Sequence, residues 1–415
     1  MIFRESRAIR PMSDGPPLAE QFERLDLGAE ETESRFEVGR HWNLVGFCVG
    51  LVALSVGFYR EHFQQESIPF FENLDPVDWL LAVSLLAMAS FLLAPLARNR
   101  ERTMQYWKRL RNRRFGVTSL VVVVALFLVG LFGPLFASEP QLLRFTRAYQ
   151  PPVFTSVGAE WLVGSCVGEV SGGMCHGTWQ YPFGTTRDGK DLLPFVILGA
   201  RTALVIAVAS AALIVPVGLG VGLVAAYSGG KVDSALMRLA EVLQTVPAVI
   251  IYLLFWTWNA EYRLLTLVVV FGLTNLGGLA RLVRNEELQL RERPYVKAAR
   301  SAGASRTQVV RWHLLPNISR SVLANVTLQI PLLVLTEAAL SFVVLPAPAA
   351  TRPVTLGDPT VVSWGQLVYR GVREAGLFPG WWITIIPSAF LVLTVLVVNV
   401  FGRSLSDVLD PHPGW

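Results

Sequence analysis

Residues 291–317 read RERPYVKAARSAGASRTQVVRWHLLPN, a polar, arginine-rich island set between long apolar runs. Pro294 suits a first helical position, where the N–H it lacks would have no partner anyway. Val296 to Ala302 are mostly good helix formers, and Gly303 supplies the residue most at ease in a left-handed C-terminal cap. A second helix start follows at once, because Ser305-Arg-Thr-Gln308 has the spacing of a capping box. That second helix is expected to be short and to end at Leu315, since Pro316 disfavours helical geometry in the residue before it. The result is a helix–Gly–helix elbow carrying Arg291, Arg293, Lys297, Arg300, Arg306 and Arg311. Such an element between membrane spans is a docking surface; the plainer alternative is a basic hairpin lying on anionic lipid.

Composition explains why the island lies between spans. The chain of 415 residues is 52% hydrophobic and 16% charged, and its mean hydropathy is +0.46, the habit of an integral membrane protein. Its net charge of +5 calls for no nucleic acid, because the basic residues gather in loops where positive-inside sorting would put them. Residues 1–41 are polar and acidic, without the apolar core of a signal peptide, and read as a cytoplasmic N-terminal tail.

Counting apolar runs of about 20 residues gives eight spans: Trp42–Tyr59, Val77–Ala97, Gly116–Ala137, Thr202–Tyr227, Pro247–Trp258, Leu264–Leu282, Ser321–Leu345 and Trp382–Phe401. The fifth is short, and the preceding Ser228–Thr245 is amphipathic. The loop between the first two spans, including Glu66–Asp75, is acidic, whereas Arg98–Arg114 holds eight basic residues and one acid. That asymmetry places the basic segment and both termini in the cytoplasm. Ser138 to about Arg201 then forms a long external segment, and Ser363-Trp364-Gly365 is external too. Gly218, Gly220 and Gly222 are expected to let helices approach closely.

Within the island, Tyr295, Ala298, Ala299, Arg300, Gly303, Ala304, Ser305, His313, Leu315, Pro316 and Asn317 form the pattern YVxAARxxGAS…HxLPN. It resembles the cytoplasmic coupling loop of permease subunits in binding-protein-dependent ABC importers, and most closely the second (C-type) permease of the dipeptide, oligopeptide and nickel systems. The resemblance extends from about Arg113 to Pro411. It includes PFGTTRDGKDLL, the Gly199–Arg201 triplet, LTEAALSF at Leu335–Phe342, Ser363–Gly365 and the closing Asp407-Val-Leu-Asp-Pro411. There are departures. Lys297 stands where the family usually has glutamate, Thr186 where it favours aspartate, Lys190 where it favours arginine, and Pro194-Phe195 where it favours Ser-Arg.

The resemblance implies an all-α, polytopic transmembrane helical bundle. A six-span ABC importer permease core (116–411, coupling loop 285–320) follows an extra two-span N-terminal module (42–97) and a basic cytoplasmic linker (98–115), and ends in a tail (412–415). It implies a multi-pass permease subunit of the cell membrane, with a second permease subunit as a heterodimeric partner. Two ABC ATPase subunits would hold the ATP and magnesium, and an external substrate-binding protein would deliver di- or oligopeptides, with nickel or oligosaccharides as alternatives. No cofactor is expected in this chain, and no enzymatic activity. The rival class is an ion-coupled secondary transporter or channel, which would need charged or broken-helix sites in several spans.

Gly184 to Asp191 nearly spells a phosphate-binding G-x4-G-K-[ST] loop, but Asp191 stands where a hydroxyl must ligate magnesium, so a structural external loop is the better reading. Cys166 and Cys175 share the external segment, where a disulfide or two free thiols are both open, while Cys48 reads as a packing residue within a span. Glu337 is an acid deep in an apolar run, either near the translocation path or in a helix–helix hydrogen bond. The five histidines, His41, His62, His176, His313 and His412, show no metal spacing, and no Cys-x-x-Cys occurs.

Overall fold

The computed structural model describes residues 42–64, 76–137, 145–258, 262–344, 362–375 and 380–409. The N-terminal tail, Glu66–Asp75, Ser138, Leu345, Asp410–Pro411 and the C-terminal tail lie outside the described residues.

Long apolar runs become long helices because a bilayer leaves the backbone no other partner than itself. In chain order they are α1 (Trp42–Gln64), α2 (Pro76–Arg98), the basic α3 (Arg100–Arg111), α4 (Gly116–Phe132), α5 (Leu192–Ser228), α6 (Gly230–Thr245), α7 (Ala248–Trp258) and α8 (Arg263–Arg291). The elbow follows as α9 (Pro294–Ser301) and α10, in which Arg306–Val309, Val310–Leu314 and Leu315–Val344 run on without a break. A short α11 (Trp364–Arg370) and α12 (Trp381–Leu409) close the chain. Among the described residues seven helices are long and apolar enough to span, and α6 with α7, bent by 71°, count as an eighth where the pair is taken as one broken span. Pro247 sits at that bend, which explains the shortness of the fifth apolar run.

Several sequence expectations are corrected. The elbow's second helix does not end at Leu315, nor does the next span start at Ser321; they are one helix. A π-helical turn at Val310–Leu314 widens the backbone just before Pro316, which relieves the clash of the proline ring with the preceding turn. The same device recurs in α2, where a π turn at Ala89–Leu93 precedes Pro95. The fourth span begins not at Thr202 but at Leu192, capped by Asp191, whose carboxylate accepts the Leu193 N–H at 3.0 Å. Its 37 residues measure about 55 Å, well beyond a bilayer's apolar thickness. Likewise α8 continues past Leu282 to Arg291, and α12 past Phe401 to Leu409. Gly218 and Gly222 do receive α8: a Cβ on Gly222 would lie 2.6 Å from the Ala280 carbonyl. Gly220, two residues from each, faces open space instead. Cys48 is exposed rather than packed.

Two apolar clusters organise the bundle. The larger joins Val205, Ile206 and Ile214 of α5 to Leu279 and Val283 of α8 and Val326 and Leu333 of α10. It also takes in Val77 and Leu81 of α2, and Arg201 of α5 reaches Asp78 of α2 at 2.5 Å. The second cluster caps one end with Phe195, Trp364, Leu367 and Trp382. Beside it lies the one small sheet among the described residues, β1 (Ser156–Gly158), β2 (Val170–Ser171) and β3 (Met174–His176), antiparallel in the order β1-β3-β2. At the other end α3 docks on the end of α12, where Arg109 donates to the Val408 carbonyl at 3.2 Å and Arg113 meets Asp407 at 3.4 Å.

Candidate functional site

The elbow lies at the same end of the bundle as α3. Its first helix is closed by a hydrogen-bonded cap: Gly303 has φ +92°, its N–H donates to Arg300 O, and the Ala304 N–H donates to Ala299 O. These are the two bonds of a Schellman motif, which requires a left-handed residue at the glycine. The second start is a full capping box. Gln308 N donates to Ser305 Oγ at 3.3 Å, and Ser305 N donates to Gln308 Oε1 at 2.7 Å.

One face of the elbow is sealed into the bundle. Val296, Val309 and Leu314 are buried, and all three belong to the large apolar cluster of the membrane helices. The Tyr295 ring meets His313 edge to face at 6.0 Å, and Asn317 donates to the His313 carbonyl at 2.7 Å. Thus the two ends of the quoted pattern hold each other. The other face is bare: Arg293, Tyr295, Lys297, Ala298, Arg300, Ser305 and Arg306 are exposed, while Ala299, Ala304 and Leu315 are half-buried and Pro316 is exposed.

The charges divide the same way. Lys297 donates to Glu292 at 2.9 Å, with both side chains mostly exposed, and this hydrogen bond, aided by the Lys297 charge, holds the Glu292 carboxyl below the usual carboxylate range. Sequence reasoning missed Glu287, which is only 3% exposed on α8 under the elbow. It feels the charges of Arg291 and Arg300, and it lines a cleft with both of them and with Tyr227, Arg306 and Val310. Its Oε2 accepts no hydrogen bond among the described residues. A signal was available, since Glu287 and Arg291 stand four apart on one helix face.

The other candidate residues fall elsewhere. Glu337 is buried in α10 beside Val334 and Leu340 of the large cluster, within electrostatic reach of Tyr252 on α7. Cys166 and Cys175 are joined as a disulfide with Cα atoms 5.7 Å apart. In the near-match to a phosphate loop, the N–H groups that a phosphate would need are already engaged. Thr185 N donates to Gln150 O, Thr186 N to Lys190 O, Gly189 N to Thr186 O and Lys190 N to Thr186 Oγ1.

Comparison with known proteins gives consistent matches. Residues 218–413 match the family described as binding-protein-dependent transport system inner membrane component. Residues 102–152 match the N-terminal transmembrane domain of oligopeptide transport permease C. The dipeptide transport system permease protein DppC of Bacillus subtilis (strain 168) is 30% identical over 311 residues, which is 74% of this chain and 85% of that protein. The oligopeptide transport system permease protein OppC of Salmonella typhimurium (strain LT2) is 31% identical over 304 residues, 73% of this chain and 89% of that protein. Among solved structures, the MetNI methionine ABC transporter in an inward facing conformation aligns at 18% identity with a TM-score of 0.43, over 53% of this chain and 98% of that one. Neither family match reaches α1 or α2.

Proposed function

Because this chain belongs to the family of binding-protein-dependent transport system inner membrane components, we propose that it is the permease subunit of an ATP-driven importer of dipeptides or oligopeptides. Its relatives carry those substrates in their names, and the fold alone would not choose them. In this reading a second, related permease completes the pore, two ATPase subunits dock on the elbow from the cytoplasm, and an external binding protein delivers the peptide. ATP hydrolysis belongs to the ATPase subunits. Both termini are cytoplasmic, on the side where α3 and the elbow gather arginine.

One observation carries the mechanism. The elbow's inner residues Val296, Val309 and Leu314 are packed in the same cluster as α5, α8 and the membrane part of α10, while its outer face is exposed among the described residues. A partner that moves the outer face therefore moves membrane helices, because packed interiors transmit displacement rather than absorb it. The unbroken α10 gives that displacement a direct route across the bilayer. Glu337, on the same helix, moves with this part in the proposed reading, at the translocation path or in a helix–helix hydrogen bond.

The test is transport. The chain, its sister permease and ATPases, reconstituted in proteoliposomes with the binding protein, should take up labelled di- or oligopeptide only when ATP and magnesium reach the elbow side. Uptake driven equally well by an ion gradient without ATP would overturn the reading in favour of a secondary transporter.

A further inference from the structure

Between residues 291 and 311 the chain carries six basic residues, Arg291, Arg293, Lys297, Arg300, Arg306 and Arg311, against one acid, Glu292. That acid is already bonded to Lys297 at 2.9 Å. The buried Glu287 addresses Arg291 and Arg300 from the inner side, away from any docking partner. Arg293, Arg300 and Arg306 are all exposed, Arg300 and Arg306 at the cleft that holds Glu287, beside the small apolar ground of Tyr295 and Ala298.

Resting on the reading that an ATPase docks here, we propose that the docking groove of this chain's ATPase is acidic, with carboxylates that pair with Arg293, Arg300 and Arg306. A guanidinium covered by a partner without a counter-charge loses its hydration for nothing, so the covering surface must supply anions. Arginine's planar fork suits a carboxylate in two-point contact. Lys297 adds a further cation to this face, and the one acid beside it, Glu292, is already bonded to that lysine. The pairing is thereby specific: an ATPase with a basic groove meets like charge here, which discriminates against it.

An anionic membrane surface is the competing source of negative charge. A helix that lies on lipid presents a broad apolar face to the acyl layer. Here that face, Val296, Val309 and Leu314, is turned into the bundle and buried, which leaves too little apolar surface to hold the elbow in a bilayer.

The test uses the whole transporter, permease pair with ATPases, purified in mild detergent and bound through the permease. Wild-type complex should lose its ATPases progressively as KCl rises. Arg300→Glu with Arg306→Glu should weaken ATPase retention by about tenfold or more at low salt and flatten the salt dependence, with Arg300→Gln/Arg306→Gln intermediate. Size-exclusion of each variant with its sister permease checks that the bundle is intact. Unchanged retention and unchanged salt dependence in an intact charge-reversed variant would overturn the acidic groove. So would a variant that keeps its ATPases but loses binding to phosphatidylglycerol vesicles, since that would assign the surface to lipid. If wild type retains no ATPase at all, the functional reading itself falls, and this proposal with it.

Discussion

At the end of the bundle away from the elbow, the turn from Gly184 to Leu193 folds its polar groups onto its own neighbours. Gln150 is 2% exposed and makes four hydrogen bonds to three residues: its backbone N–H and C=O pair with Thr185, its side-chain amide donates to Ser165 O, and its side-chain oxygen accepts from Val167 N. Trp382 donates to Thr185 O at 3.0 Å, and Trp364 donates to Val196 O at 2.9 Å. At the opposite end, the elbow also satisfies its backbone, by a Schellman cap and a capping box, yet it leaves Arg293, Arg300 and Arg306 exposed. Both segments are rich in charge and turn at glycine, Gly184 and Gly189 in the one and Gly303 in the other. What separates scaffold from docking surface is where the side-chain donors go once the backbone is satisfied.

The largest expected effect belongs to the scaffold. A Cβ on Gly365 would stand 2.3 Å from the Ala338 Cα, a backbone atom that cannot swing away. Gly365→Leu should therefore cost about 3 kcal/mol or more of packing and show as a collapse of folded yield in fluorescence-detected size exclusion. A well-folded Gly365→Leu protein would break the contrast at its outer side. Next comes the disulfide. Opening the short Cys166–Cys175 loop by replacing both with serine should weaken the outer cap by about 2–3 kcal/mol, seen as new protease cuts there and none at the elbow. Mass spectrometry of non-reduced peptides from native membranes should recover the linked pair. The smallest effect is predicted for Lys297→Glu, which breaks the exposed bond to Glu292. Stability should not change measurably, because exposed pairs contribute little. ATPase retention should move only modestly, and a collapse of folding on this change would mean that the outer face is structural after all.

These contrasts also mark how far the sequence could be read. The elbow was legible almost atom by atom, since Pro294, Gly303 and Ser305-x-x-Gln308 each act through local backbone geometry. The helix running on past Pro316 was not, because the rule that proline disfavours helix before it holds for a regular α-turn, and a π turn relaxes it. The outer start of α5 was missed because Asp191 sits inside a string of Gly, Asp and Lys that reads as loop. Gln150 and the Asp78–Arg201 pair were illegible for a different reason. Each depends on a partner far along the chain or on burial, and no local pattern encodes it. The small sheet around Cys175 has strands of two and three residues, too short for any alternation to register.

The claim at the centre is that the elbow works as a lever between ATPase and membrane helices, and Gly303 isolates it. The residue holds φ +92°, and a Cβ there would meet nothing within 4 Å. A valine would thus have room and suffer only the backbone penalty, on the order of 1 kcal/mol or somewhat more for a β-branched side chain. That is too little to unfold spans held by a bilayer, but enough to swing the start of α10 and its Arg306 out of register. Peptide-stimulated ATP hydrolysis by the reconstituted transporter carrying Gly303→Val is the measurement. The lever predicts normal insertion and sister pairing with stimulation reduced about fivefold or more; wild-type stimulation in an inserted, paired Gly303→Val protein would contradict it.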